Sequence, residues 1–190
     1  PNFQGGAITS LTVSAGILNG NNKVSGTLTT GATLPGSLSL VSGATVNWTG
    51  GSIQGAVNVS ASAALNIMGN SQKFLWGALT NAGTVTWSGN GNLEVDYSTA
   101  ANQLGLIENL PGALWDIQNN QNLSSVYPNG AYFRNAGTVR KSAGTGTTTV
   151  SVPFHNLGVV TNQQGTIVFN GGGTLHGSFG AGAGTVITFS

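Results

Sequence analysis

The chain contains no cysteine, which removes disulfide staples and thiolate metal sites and leaves the redox compartment undecided. Charge is scarce: only 5% of its 190 residues are Asp, Glu, Lys or Arg, for a net charge of +1. The basic residues are Lys23, Lys73, Arg134, Arg140 and Lys141, too few and too scattered to line a groove for phosphates, so nucleic acid is not an expected partner. No apolar run reaches the roughly 18 residues of a membrane-spanning helix. Helix signals are missing too. The 31 glycines disfavour helix at about 1 kcal/mol per interior site, and the one stretch with helical flavour, AANQLGLIENL at 100–110, is interrupted by Gly105 and followed by Pro111. The chain starts at Pro1 with no signal-peptide pattern, which points to a processed product or an excised piece.

What remains is an ordered, strand-rich composition. Hydrophobic residues make up 39% of the chain, more than disordered segments carry, and Gly, Asn, Ser and Thr fill the spaces between short apolar phrases. The phrase NAGTV occurs at 81–85 and again at 135–139. Related phrases are GATVNW (43–48), SAALNI (62–67), GALWDI (112–117), GTIVF (165–169) and GTVITF (184–189). Taking Val46, Leu65, Val85, Leu114, Val139, Ile167 and Val186 as equivalent core positions gives steps of 19, 20, 29, 25, 28 and 19 residues. That is a period of about 20 with insertions, the arithmetic of a coil in a stacked repeat.

Within the phrases apolar and polar residues alternate: Val85 and Trp87 oppose Thr84 and Thr86, and Thr148, Val150 and Val152 oppose Thr147, Thr149 and Ser151. One face of each strand is to be buried and the other wetted. Strands of four to six residues turning corners within a coil and pairing in parallel between coils make an all-β parallel β-solenoid, a single domain over 1–190. Glycine at the head of each phrase supplies a positive φ or a tight corner. An antiparallel sandwich is the rival; it would need tight reversals, for which Asn19-Gly20, Asn90-Gly91 and Asn129-Gly130 are available, and it would not repeat a phrase. The long steps place loops at 97–108 and 118–134, the second carrying Tyr127, Pro128, Tyr132 and Phe133.

The fuller phrases LTNAGTVTWSGNGNL (79–93), FRNAGTVRKSAGTGTTTVSVPFHNLGVV (133–160) and GTIVFNGGGTLHGSF (165–179) resemble the repeat units of β-strand-repeat, adhesin-like exoproteins of environmental bacteria. The likeness runs from about residue 40 onward. It implies a right-handed parallel β-helix, an extracellular or cell-surface location, and a stalk, adhesin or filament that associates end to end or continues into further repeats. It implies no catalytic residue, no cofactor and no metal. GTVITFS at the end of the chain leaves a solenoid coil with unpaired strand groups, which fits that expectation.

Glu94 and Asp96 lie two apart in NLEVDY and, on a strand, would share a wet face about 7 Å apart; paired acids can serve glycoside hydrolysis or bind calcium, but a solvated face accounts for them. His155 and His176 are 21 residues apart, near one coil, and lack a third ligand. The pairs Thr27/Thr29, Thr84/Thr86 and Thr147/Thr149 would suit ice binding if they formed one regular array. Trp48 and Trp87 occupy core columns. Trp76, with Tyr127 and Tyr132 of the long loop, is the candidate contact for polysaccharide or another partner. Asn47, Asn58 and Asn122 head Asn-x-Ser/Thr triplets, relevant in a glycosylating host. The expected function is structural and adhesive, with carbohydrate binding or carbohydrate-active chemistry as the alternative and ice binding after it.

Overall fold

The computed structural model describes residues 6–98, 103–127 and 130–190. The chain winds into one parallel β-solenoid of about nine coils, each of roughly 20 residues. Three faces run along its axis. Face A stacks Leu38–Leu40, Val57–Val59, Ala78–Asn81, Leu106–Asn109, Phe133–Asn135, Phe154–Asn156 and Gly173–Leu175. Face B stacks Thr45–Trp48, Ala64–Ile67, Thr84–Trp87, Leu114–Ile117, Thr138–Lys141, Val159–Asn162 and Ser178–Ala181. Face C stacks Gly51–Ile53, Lys73–Leu75, Leu93–Val95, Asn122–Ser124, Thr147–Val150, Thr166–Phe169 and Val186–Phe189. One long strand, Asn22–Thr30, turns the A–B corner without a break, pairing through Asn22–Val24 with face A and through Thr27–Thr30 with face B, so the two faces form one 16-stranded sheet. Among the described residues there is no helix, and the single antiparallel pair is Tyr97–Ser98 with Gln103–Leu104.

Strict register makes the core columnar. On face B, Val46, Leu65, Val85, Trp115, Val139 and Val160 stand over one another, and on face A so do Leu38, Val57, Leu79, Ile107, Phe133 and Phe154. All of them are buried. In the later coils the core becomes aromatic across all three faces: Trp115 and Phe133 are 5.0 Å apart, Phe133 and Phe154 5.2 Å, Phe154 and Phe169 4.3 Å. Each such pair adds about 0.5–1.5 kcal/mol beyond its buried area.

Three of the core positions read from sequence shift. Leu114 is partner to Thr84 and half-buried, and Trp115 takes the core position; Gly112, φ +82°, and Pro111 lengthen the turn before it. Ile167 and Val186 belong to face C rather than B, with Ile187, not Val186, following Ile167 inward. The phrase GTxxx thus serves two corners. Insertions are shorter than 97–108 and 118–134, because Leu106–Asn109 and Asn122–Ser124 are regular strands. Both leave the solenoid at the C–A corner, between Asp96 and Gly105 and between Ser124 and Ala131.

The repeated NAGTV has a specific cause at the A–B corner. Asn81, Asn109, Asn135 and Asn156 occupy one column and are buried. Each Nδ2 donates to the next Oδ1 at 2.8 Å: Asn81 to Asn109, Asn109 to Asn135, Asn135 to Asn156. The second amide hydrogen goes to a carbonyl of the adjoining face B strand, of Leu114, Thr138 and Val159 in turn. The Asn81 Oδ1 also accepts the Gly83 N–H, closing an Asx turn. Gly83 and Gly137 answer to a different constraint: a Cβ there would sit 2.4 Å from the Ala63 and Leu110 carbonyl oxygens respectively. The phrase is one coil's corner packed on another's.

Removing a rung from the middle of this ladder strands buried amide groups on both sides. Asn109→Leu is expected to cost about 2–4 kcal/mol, whereas Asn156→Leu, at the end of the ladder where Leu175 already follows, costs less than half as much. Urea denaturation of the two variants measures the difference.

Candidate functional site

Most of the chain's ionisable groups are accounted for by structure. Lys73 and Lys141 lie inside the B–C corner with no exposed surface. Lys141 takes the column position held by Trp48 and Trp87 in earlier coils. Its Nζ donates to the Asn119 carbonyl, to Asn120 Oδ1 at 3.2 Å and to Thr148 Oγ1 at 3.0 Å. Lys73 Nζ donates to the Gly69 carbonyl at 3.0 Å. Burial away from water lowers both amines from 10.5 to about 8. On the outside of face B, Arg140 grips Asp116 with two hydrogen bonds of 2.9 and 3.0 Å, and Ser142 and Gln118 donate to the same carboxylate, which holds Asp116 below its ordinary value despite burial.

Glu94 and Asp96 do not share a wet face. The alternation breaks after Val95, so that Asp96 is buried at the C–A corner, where its Oδ1 accepts the Ser125 hydroxyl at 3.2 Å and the Val126 N–H at 2.9 Å. It pins the second insertion. Partial burial, and then the adjacent Asp96 carboxyl, raise Glu94 from 4.5 to about 7, opposed by Gln72, which donates to Glu94 Oε2. The acids hold a corner together.

The three aromatic candidates all lie along the C–A corner. Trp76 is half-buried, 5.8 Å from the Phe74 ring, and its backbone carbonyl accepts the Leu104 N–H of the first insertion. Tyr127 is 58% exposed on the second insertion; Pro128, beside it, lies outside the described residues. Tyr132 is where that insertion re-enters face A, and its hydroxyl donates to Glu108 Oε1 at 2.9 Å. His155 and His176 are not register partners: His155 faces Thr174, Nδ1 to Oγ1 3.0 Å, and His176 sits in the following turn. The threonine pairs split between faces, Thr27/Thr29 and Thr84/Thr86 on B and Thr147/Thr149 on C, so they do not form one array. Asn47 is engaged with Thr29 and Asn66, leaving Asn58 and Asn122 as the exposed triplet asparagines. Among the described residues no group of three or more His, Cys, Asp or Glu side chains gathers to hold a metal.

One surface cluster went unread in the sequence. On the outside of face A, Thr80, Glu108, Arg134, His155 and Thr174 stand in line on consecutive coils, one strand spacing, about 4.8 Å, apart. Arg134 lies 3.8 Å from Glu108 with its side chain 52% exposed, and the Tyr132 ring meets His155 edge-on at 6.0 Å. Unequal insertions hide this alignment. The ladder reveals it, because Thr80, Glu108, Arg134 and His155 each immediately precede a ladder asparagine.

Two expectations follow from the buried charges. Folding favours protonated Glu94, so stability should fall as pH rises from about 4.5 to about 7 and level off above; Glu94→Gln should flatten that slope in melts taken across the range. Lys73→Met replaces a sparsely bonded buried amine with an apolar chain of similar reach and is expected to stabilise the fold at pH 7 by roughly 1–2 kcal/mol, read from denaturant midpoints. Comparison with known proteins finds no family model, no curated protein and no solved structure that matches this chain.

Proposed function

We propose that this chain is a non-catalytic structural and adhesive solenoid, a rigid segment of an extracellular stalk, adhesin or filament. The observation that carries the reading is the parallel pairing of successive coils, reinforced by the asparagine ladder, over a surface on which most ionisable groups are buried or tied to one another. A stack of this kind resists bending and extension because each inner coil is hydrogen-bonded to the coils on either side of it along the axis. Its length, about nine coils at about 4.8 Å each, is roughly 40 Å. The resemblance of the repeat phrases to adhesin-like exoproteins supports the same reading.

Pulling the chain from its two ends in an optical trap is expected to give discrete coil-sized steps at high force. Incubation with a panel of neutral and acidic polysaccharides should release neither new reducing ends nor unsaturated products; sustained turnover of any of them would overturn the reading, and gradual extension at low force would remove its mechanical half.

A further inference from the structure

We propose that the outside of face A around Tyr132, Arg134 and His155 is a binding ledge for an acidic, uronate-bearing glycan laid along the solenoid axis. The inference rests on the adhesive reading and specifies its surface and ligand class. Charge leads to the place. Lys73 and Lys141 are inside and Arg140 is locked to Asp116 by two hydrogen bonds, so the cations left facing solvent are Lys23 and Arg134. Both project from the same row of face A, Lys23 at its far end. Among the described residues the Arg134 guanidinium makes one ionic contact, with Glu108, and at 3.8 Å it is longer than a hydrogen bond. A planar fork of N–H donors held half in water is suited to accept a carboxylate in bidentate fashion.

The neighbours complete the match. His155 offers a ring nitrogen one coil further on, and Thr174 a hydroxyl one coil beyond that. Polar groups therefore recur along the axis at the strand spacing of about 4.8 Å, an interval comparable with one sugar residue of an extended chain. Beside this row, two residues earlier on each coil and on the same face, Leu106, Tyr132 and Pro153 form a half-buried apolar strip. Tyr132 is fixed by its bond to Glu108 and by the edge of His155, so its ring is oriented before a ligand arrives. Glu108 is occupied on both sides, by the tyrosine hydroxyl and by Arg134. An apolar strip against a row of donors fits a sugar ring, which has an apolar face and a polar rim; an acidic peptide would satisfy the cation without using the strip.

The test is affinity electrophoresis and calorimetry of the full chain with polygalacturonate and alginate, with dextran and poly-L-glutamate as comparisons. Retention by a polyuronate is expected, weakening with added salt, with at least tenfold loss in both Arg134→Ala and Tyr132→Ala, partial loss in Arg134→Lys, and no change in Lys23→Ala. Circular dichroism and melting of each variant confirm that the solenoid is intact. Equal binding to poly-L-glutamate, or polyuronate binding that survives both alanine variants, would overturn the ledge while leaving the adhesive reading standing. No retention on any glycan would overturn both the ledge and the adhesive role, and the pulling experiment would still decide the mechanical one.

Discussion

Everything in this molecule depends on parallel pairing between equivalent residues of successive coils. Pairing at one residue commits the next, because a one-position slip would turn every inward side chain outward. The asparagine ladder is the strongest guard of that register: a buried amide that misses its partner forfeits two hydrogen bonds in a medium without water to replace them. It sits at the corner between faces A and B, where each amide also donates to a carbonyl at the head of a face B strand. The apolar columns supply most of the burial, but methyl groups tolerate sliding. Amides do not.

The polar interior extends further than a solenoid of hydrophobic columns would require. Lys141 takes a position held by Trp48 and Trp87 in earlier coils and closes the B–C corner by bonding to Asn119, Asn120 and Thr148. Conversely, the indole nitrogens of Trp48 and Trp115 are buried without a partner, and Trp87 reaches only the distant Gly91 carbonyl at 3.4 Å. The Lys141 column runs Trp48, Ile67, Trp87, Ile117, Lys141 and Asn162, so neither volume nor chemistry is constant along it.

The architecture was legible in the sequence because two periodicities coincide in it: alternation within a strand and recurrence of a phrase about every 20 residues. Val85 and Trp87 against Thr84 and Thr86 required no structure to orient. Legibility failed where spacing alone had to carry the alignment. Pro111 and Gly112 lengthen a corner, and Leu114 was read for Trp115; GTIVF and GTVITF looked like their face B counterparts because each face is entered through a small residue and a turn. Lys73 and Lys141 gave no sign of burial, since long cationic side chains are ordinarily wet. The row on face A was hidden by the two insertions, and Asp96 broke the expected alternation because its carboxylate is needed to cap the Val126 amide.

That both insertions emerge at one edge gives the rod a keel. At Gly83 and Gly137 of the A–B corner, by contrast, carbonyl oxygens of the neighbouring coil press so closely that not even a Cβ fits. At this edge extra chain can project sideways, at an entropic charge that grows only logarithmically with its length. A cylinder is indifferent to rotation about its own axis; one with a keel has an azimuth, and anything that meets it side-on encounters a preferred orientation.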